Sequence, residues 1–393
     1  MLAGLDRSLK RLFAMNIVYA LFFYLVSPLF PLYLDALGIS ETRIGLILSL
    51  GSFTGAVSTL LSGLMVDRFG KKPLLIRSVF VGSIGVAVIA LVGNWLLIVP
   101  FWMMFHLSQS LFEPTRLAYI ADRASDDNRG RLYGVMNLAW PVAGILGPVL
   151  SGKLAEGFGW NVVFGAAVGF CLIGILPLLG LEDTSSESME EGSGFNRDYL
   201  GVLGLHFVFH VFLTTAIGIM NMAIPIYLAD RFSLNYSTIG LFFTVSSVVT
   251  MVTQAPSGAL SDRFGMKRTM LVFLGIVPFM YLVWVFSGNW VLLLVSYSLS
   301  MALWSMTWPA SLVLVSEAVP ASMRGTAISA RMTGYRVGYT LGPMICGYLL
   351  QSVGGVSPFV AATVIFGAAL PFGFRFSEVS GAVQVPEAMV HDD

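Results

Sequence analysis

Twelve stretches of about twenty mostly apolar residues follow one another along this chain, and they constrain its fold more than any other feature. A helix of about 20 apolar residues crosses the hydrocarbon core of a bilayer. Only 11% of the 393 residues are charged, whereas a soluble domain carries about 25%. The sequence therefore predicts an all-α, multi-pass integral membrane protein with twelve transmembrane helices. The approximate spans are 12–34, 44–66, 74–93, 95–118, 131–153, 160–180, 200–224, 238–260, 269–287, 290–312, 326–350 and 357–376.

The distribution of Lys and Arg between the short loops predicts the orientation. Loops on one side hold only Arg43, Lys153 and Arg231, whereas most basic residues fall on the other side. Because basic loops stay in the cytoplasm, we expect both termini to be cytoplasmic, in the cell (inner) membrane if the source is bacterial. The formal net charge is zero, so nothing indicates nucleic acid as a partner.

The chain also matches itself at an offset of 195 residues. The matches include Asn94 with Asn289, Pro114 with Pro309, Gly147-Pro148 with Gly342-Pro343, and Gly152 with Gly347. The repeat predicts two six-helix bundles, 1–181 and 199–378, joined by a cytoplasmic acidic linker, 182–198, and followed by a cytoplasmic tail, 379–393. Both copies begin on the same side of the membrane, so the repeats are parallel, and we expect a substrate site between them near the midplane.

The loop after the second span reads Gly63-Leu-Met-Val-Asp67-Arg68-Phe-Gly70-Lys71-Lys72, and it recurs from Gly258 to Arg268. It resembles the G-x-x-x-D-R-x-G-[RK]-[RK] signature of the major facilitator superfamily. The pattern Ser27-Pro28-Leu-Phe-Pro31-Leu-Tyr33 is similar to that of twelve-span drug/proton antiporter-like members. The arginine that those members usually bear in span 4 is absent, because the corresponding positions are Pro100-Phe101-Trp102. The resemblance implies a secondary transporter that moves a small molecule by alternating access.

The same resemblance implies a cytoplasmic gate in which the aspartate of the loop motif holds the two halves together beside the start of span 11. Gly63 permits close helix packing, Gly70 a positive φ, and Asp67 can face a helix N-terminus. Alternatively, the basic residues serve orientation alone. The predicted gate residues are Gly63, Asp67, Arg68, Gly70, Lys71, Lys72, Gly258, Asp262, Arg263, Gly265, Arg129, Arg131 and Arg324.

Glycines near Pro148 in span 5 and Pro343 in span 11 resemble a Gly-Pro signature associated with antiporters in the family. Small residues at these spacings also permit close helix packing. Both interpretations stay open.

Charged and aromatic residues inside the spans are the candidate site residues, because an ionisable group in the membrane is costly. Arg336 lies about 15 Å into span 11, and it could bind a polar or anionic substrate or pair with another helix. Arg331, nearer the end of the helix, could extend to the membrane surface. Further candidates for substrate contact are Tyr24, Trp140, Trp308 and His210.

Three further residues are candidates for proton coupling. Glu113 lies three residues from Arg116 on one helix face, so the two can form a structural ion pair, or Glu113 can accept a proton when the pair opens. Imidazole titrates near neutral pH, so His106 and His206 could couple transport to protons, but hydrogen-bonded packing explains each of them better. His206 and His210 could also bind a metal, but no third ligand follows, and we predict neither a metal site nor a cofactor.

Proton-linked efflux of small amphipathic or anionic compounds is the function that these patterns favour, by a monomer in the lipid bilayer. An uptake carrier or facilitator for a small polar or anionic metabolite is the alternative, and a receptor or scaffold built on a transporter fold is another. The motifs His-Glu-x-x-His, Gly-x-Ser-x-Gly and the phosphate-binding Gly-Lys-Ser/Thr loop do not occur in the sequence. An enzyme is therefore not expected.

Overall fold

The computed structural model describes residues 6–124, 129–182, 199–254, 256–320 and 323–376. The backbone alone is described at Leu60, Gly63, Leu64, Asp67, 129–131, Gly258 and Asp262. The described residues form helices: α1 (Arg7–Val26), α2 (Phe30–Ala36), α3 (Glu41–Phe69), α4 (Lys71–Ile89), α5 (Trp95–Arg123), α6 (Arg129–Asn137), α7 (Ala139–Phe158), α8 (Trp160–Ile173), α9 (Ile175–Leu179), α10 (Leu200–Phe232), α11 (Tyr236–Gln254), α12 (Ser257–Phe264), α13 (Met266–Phe286), α14 (Trp290–Glu317), α15 (Arg324–Ser352) and α16 (Ser357–Phe374).

Ten segments of the described chain are long and apolar enough to cross a membrane. In this count α1 with α2, α6 with α7, and α8 with α9 each form one span. Helices α3 and α15 have 29 residues each, or about 43 Å at 1.5 Å per residue. With these two helices the crossings are consistent with the predicted twelve. Most of the predicted linker and the whole predicted tail lie outside the described residues.

The helix ends follow from local sequence, and they repeat between the halves. The side chain of Asn94 accepts a hydrogen bond from the Leu96 N–H at 3.0 Å, and Asn289 does the same for Val291 at 2.9 Å. These are N-caps, and they confirm the predicted helix breaks. Gly70 has φ +75°, as predicted for a tight turn, and Gly265 at the equivalent position has φ +87°. Residues with a side chain rarely adopt this conformation.

The helices form two bundles with corresponding packing. In the first, α1 packs on α7 and α8, and α4 packs on α5. In the second, α10 packs on α16, and α13 packs on α14. We call the surface that carries Arg68, Arg123, Arg263 and Arg324 the basic face, and the opposite surface the far face.

Candidate functional site

The two bundles meet along two seams, α3 against α15 and α7 against α11. Gly45 of α3 lies so close to the carbonyl oxygen of Pro343 in α15 that a Cβ could not fit there. Gly240 of α11 has the same relationship to the carbonyl oxygen of Pro148 in α7. Because residues 240 and 343 lie 195 positions after residues 45 and 148, one contact is built twice with the roles of the halves exchanged.

A second pair of glycines repeats the arrangement nearer the far face. A Cβ on Gly347 would meet the carbonyl of Glu41 at the start of α3, and a Cβ on Gly152 would meet the carbonyl of Tyr236 at the start of α11. These residues are also related by the offset of 195. The glycines of the Gly-Pro segments therefore pack between the halves at Gly152 and Gly347, as the packing interpretation predicts.

Each half also caps a helix of the other half. The side-chain oxygen of Gln351 accepts a hydrogen bond from the Thr42 N–H at 3.2 Å, in the first turn of α3. At the equivalent position, the carboxylate of Glu156 accepts from the Ser237 N–H at 3.2 Å and from Asn235 Nδ2 at 2.9 Å. Acceptors at a helix N-terminus satisfy N–H groups that have no partner within the helix. One cap is a neutral amide and the other a carboxylate.

Within the described part of the chain, every hydrogen bond that joins the halves lies near the midplane or on its far-face side. The deepest runs from Thr244 Oγ1 to the carbonyl of Ile145 at 2.7 Å. Toward the basic face, the described hydrogen bonds stay within one half. The described hydrogen bonds between the bundles therefore lie from the midplane to the far face.

Two lysines of the predicted gate bind within their own bundle. Lys71 pairs with Asp122 at the end of α5. Lys72 donates to the carbonyl oxygens of Leu179 and Leu181, each at 2.9 Å. In this conformation both lysines hold α4 to neighbouring helices.

Other members of the predicted gate are exposed. Arg68 and Arg263 each lie over the phenylalanine that follows them in the sequence, 5.6 and 5.3 Å from the ring centroid, and Arg324 is exposed at the start of α15. At six further members of the predicted gate the structure describes the backbone alone: Gly63, Asp67, Arg129, Arg131, Gly258 and Asp262. A role of these residues in closing the basic face stays a prediction.

At the midplane, Arg336 of α15 faces α3 of the other half. Its Nη1 lies 3.0 Å from the point where a Cβ on Gly55 would lie, and His106 Nδ1 is 3.9 Å from the same point. Arg336 Nε is buried and has no hydrogen-bond partner. Gly51, one turn from Gly55, leaves room for the rings of Trp102 and His106. These two glycines therefore let a cation and an imidazole approach one another between the halves.

Glu113 and Arg116 form the predicted pair on α5. Arg116 Nε donates to Glu113 Oε2 at 3.1 Å, and Nη2 bonds both Glu113 Oε1 and, at 3.2 Å, Asn137 Oδ1. The Arg116 side chain is fully buried, while that of Glu113 is 32% exposed. The carboxylate thus neutralises the buried guanidinium and is itself partly exposed.

The second half has a buried guanidinium in a related place but with different partners. Arg331 is 1% exposed, so the interpretation that it extends to the membrane surface is wrong. Its Nε and Nη2 donate to Ser311 Oγ at 3.1 and 2.8 Å, and its Cζ lies 4.2 Å from the centroid of a Trp308 ring. Ser311 and Trp308 lie 195 residues after Arg116 and Glu113. A cation–π contact therefore replaces the carboxylate of the first half.

Aromatic side chains from both halves are half-buried at this level. Tyr24 and Trp140 lie edge to face at 6.2 Å in the first half. In the second half Trp308 packs on Tyr335 at 5.5 Å, and Tyr335 packs on Tyr339 at 4.8 Å.

His206 and His210 are both buried in this conformation. His210 is 1% exposed, and its Nδ1 lies 2.8 Å from the carbonyl oxygen of His206 on the same helix. His206 is 2% exposed and stacks on Phe376 at 4.0 Å. A role for either in substrate binding or proton coupling stays a prediction.

Sequence reasoning missed Gly55 and the capping residues Glu156 and Gln351. The offset of 195 relates Glu156 to Gln351 and could have identified them as a pair. No sequence signal marked Gly55, because its importance depends on the rotation of α3 against α15.

Two repeated six-helix bundles that face each other across charged residues near the midplane are the arrangement found in membrane transporters. The chain belongs to the Major Facilitator Superfamily, whose sequence model matches residues 12–201 and 206–389. It is 26% identical over 367 residues to the multi-drug resistance efflux pump PmrA homolog of Lactococcus lactis, covering 88% of this chain and 90% of that protein. It is 24% identical over 363 residues to the multidrug resistance protein MdtG of Proteus mirabilis, with the same two coverages. These relatives are transport proteins, not enzymes.

Solved structures agree on the fold. A bacterial homolog of the human lysosomal transporter Spinster, in an inward-facing and occupied conformation, superposes with a TM-score of 0.77 at 14% identity, covering 95% of this chain and 98% of that one. A D-xylose–proton symporter gives 0.78 at 14% identity, covering 94% and 97%. At such identities the likeness extends to the fold alone.

Proposed function

We propose that this transporter exports small amphipathic or anionic compounds from the cytoplasm in exchange for protons, by alternating access. The single observation that carries the proposal is the guanidinium of Arg336, which lies between the halves at the midplane and has a buried Nε without a partner. A polar group left in this state costs free energy unless a ligand binds it. The names of the efflux relatives are consistent with the proposal.

The predicted orientation assigns the basic face to the cytoplasm. In that orientation the conformation described here would receive substrate from the cytoplasm, because its halves are in contact on the far face. Export then requires the two seams to separate while the basic face closes, where the predicted gate residues lie. The glycine contacts and the two helix caps are the interactions that must break.

Glu113 is the side chain that best fits the proton-coupling role. Its carboxylate is 32% exposed and bound to Arg116. Protonation of Glu113 would remove the negative charge that compensates the fully buried guanidinium of Arg116. Separation of Glu113 from Arg116 therefore requires a further change between the halves that stabilises the guanidinium. His106 lies beside Arg336 and is a second candidate, whereas His206 is more deeply withdrawn.

Reconstitution into liposomes tests the proposal independently of the orientation in which the protein inserts. Liposomes loaded at low pH are diluted into neutral buffer, and uptake of a labelled amphipathic anion is followed against protein-free liposomes. An antiporter accumulates the anion while protons leave, and a protonophore abolishes the accumulation. Glu113→Gln should lose this dependence on the gradient.

Other outcomes separate the alternative functions. A proton-linked symporter would lose preloaded substrate under the same gradient, and a facilitator would only equilibrate it. If a folded sample gives no protein-dependent flux of any tested compound, in either direction, under the pH gradient, transport of this class is refuted. A receptor or scaffold is then favoured.

A further inference from the structure

The charged groups inside α5 and α15 do not balance. More than one turn from either end of these two helices, the described charged residues are three arginines and one carboxylate: Arg116, Arg331, Arg336 and Glu113. Charged groups inside a membrane are expensive and are normally paired. The hydrogen-bond partners of each guanidinium therefore show which arginine lacks a counter-charge.

Two of the three donate hydrogen bonds to side chains of the protein. Arg116 donates to Glu113 and Asn137, although its Nη1 has no partner. Arg331 is held by Ser311 and lies over the ring of Trp308, and it is only 1% exposed. Neither of them is available to a ligand in the cavity.

Arg336 is not satisfied in this way. Among the described residues, none accepts a hydrogen bond from it, and no carboxylate lies within 4 Å of it. A guanidinium has five N–H donors in a planar fork, which matches the two oxygens of a carboxylate. Its Nη1 lies close to Gly55 across the seam, where the absence of a side chain makes room for the guanidinium.

Aromatic side chains lie next to Arg336 on α15, and others lie in the first half. Tyr335 precedes it on α15 and packs between Trp308 and Tyr339, while Tyr24 and Trp140 form a corresponding pair in the other half. Aromatic rings prefer edge-to-face or offset packing with other rings. The site therefore offers one cationic fork and a wall suited to a flat apolar body.

We propose that the transported compounds are organic monoanions with an aromatic body, which Arg336 selects by binding their carboxylate across from Gly55. The inference rests on the proposed function for the identity of the site, and it narrows the substrate class from amphipathic compounds in general. A compound with one negative charge would balance the positive charge of Arg336, whereas a cationic compound would be repelled there. Arg336 is thus the specificity-determining residue.

Equilibrium dialysis of the full-length protein in lipid nanodiscs tests this with three matched probes: 2-naphthoate, the neutral 2-naphthamide and the cationic 2-naphthylmethylammonium. Naphthoate should bind saturably and more tightly than either of the others. Because a charge-assisted hydrogen bond contributes strongly, Arg336→Gln should weaken naphthoate binding about tenfold or more and leave naphthamide binding within about twofold. Arg336→Lys, which keeps the charge but loses the fork, should fall between.

Two further variants complete the test. Arg268→Gln removes an exposed arginine at the start of α13 and should change nothing. Gly55→Ala adds a methyl group 3.0 Å from Arg336 Nη1, so it should weaken the binding of naphthoate but not that of naphthamide. This variant replaces Arg336→Gln as the test if Arg336→Gln does not fold. Three results would overturn the inference: no binding of naphthoate, equal binding of the three probes, or an affinity for naphthoate that neither substitution changes.

The liposome assay separates this inference from the proposed function. Arg336-dependent naphthoate binding without gradient-driven flux would support the anion site and refute antiport. Gradient-driven flux of the ammonium probe, with naphthoate excluded, would refute the anion site and leave antiport standing.

Discussion

Gly45 and Gly240 make the same contact in opposite directions: each approaches the carbonyl of a proline in the other half too closely for a Cβ to fit. Since the two residues are equivalent in the repeat, the far-face closure consists of two related seams. Duplication of one bundle explains this directly, because a self-complementary surface is generated when two copies face each other across an axis.

A side chain at either glycine should open the seam. Gly45→Ala or Gly240→Ala forces a methyl group into backbone, and overpacking of this kind costs about 1–3 kcal/mol. The closed far face should lose that much relative to the open one. Labelling of cysteines introduced along the seams measures the shift. Gly165→Ala is the control, because a Cβ there meets nothing within 4 Å, and an equal shift in the control would contradict the seam assignment.

The two helix caps should contribute similarly to closure of the far face. Glu156→Ala and Gln351→Ala each remove an acceptor at a helix N-terminus, at a cost of about 1 kcal/mol, and both should increase labelling on the far face. Glu156→Gln retains an acceptor and makes the α7–α11 seam like its counterpart, so it should have a smaller effect than Glu156→Ala. If Glu156→Gln and Glu156→Ala are equally severe, capping is not the role of this residue.

Loss of the Glu113 charge should destabilise the first bundle. Arg116 is fully buried, and its Nη1 already lacks a partner. Breaking a fully buried pair costs about 3–5 kcal/mol, and the partial exposure of Glu113 reduces this to about 2 kcal/mol. Thermal unfolding of Glu113→Gln measures it. The double variant Glu113→Gln with Arg116→Met should recover part of the loss, and no recovery would argue against coupling of the two residues.

Asp6 at the N-terminus of α1 should make stability depend on pH. Burial opposes its ionisation, but hydrogen bonds from the Leu9 N–H at 2.6 Å and from Arg123 at 2.8 Å outweigh burial and hold the pKa of Asp6 below its usual value. A lowered folded-state pKa stabilises the protein above the unfolded pKa of about 3.9, and this stability is lost as the pH falls through the folded pKa. Asp6→Asn keeps the cap and should lower the thermal midpoint more at pH 7 than at pH 3. An equal loss at both pH values would contradict this.

The turn between α3 and α4 should tolerate only glycine. Gly70 has φ +75° and ψ 157°, a region that costs other residues about 1–3 kcal/mol. Gly70→Ala should lower the stability by this amount in a thermal unfolding experiment. Gly93→Ala is matched, because Gly93 lies in another interhelical turn without a positive φ or a crowded Cβ position, and it should have little effect.

The sequence predicted the features that depend on local pattern or on the repeat. Apolar length predicted the spans, Asn94 and Asn289 predicted helix starts, and the spacing of Glu113 and Arg116 predicted their pair. The sequence could not predict which way each helix face turns. Arg331 illustrates this limit: depth alone suggested a path to the membrane surface, whereas the rotation of α15 directs the side chain onto Ser311 and Trp308.

Gly55 illustrates a second limit. A glycine in an apolar helix has many explanations, and only the approach of Arg336 from the other half distinguishes this one. Contacts between the halves are encoded by two surfaces far apart in sequence, so neither surface reveals its partner alone.

The central claim, that two homologous bundles move against each other around the midplane cavity, is tested most directly by distances between spin labels. Cys171 and Cys346, the two native cysteines, are both buried, so labels attach at introduced positions. One pair replaces Phe158 and Val353 on the far face, which are 73% and 69% exposed. The other replaces Lys10 and Gly204 on the basic face, which are both exposed.

Under the pH gradient and probe that support flux, the Phe158–Val353 distance should lengthen while the Lys10–Gly204 distance shortens. If both distances stay constant, or change in the same direction, while flux proceeds, the two-bundle movement is wrong.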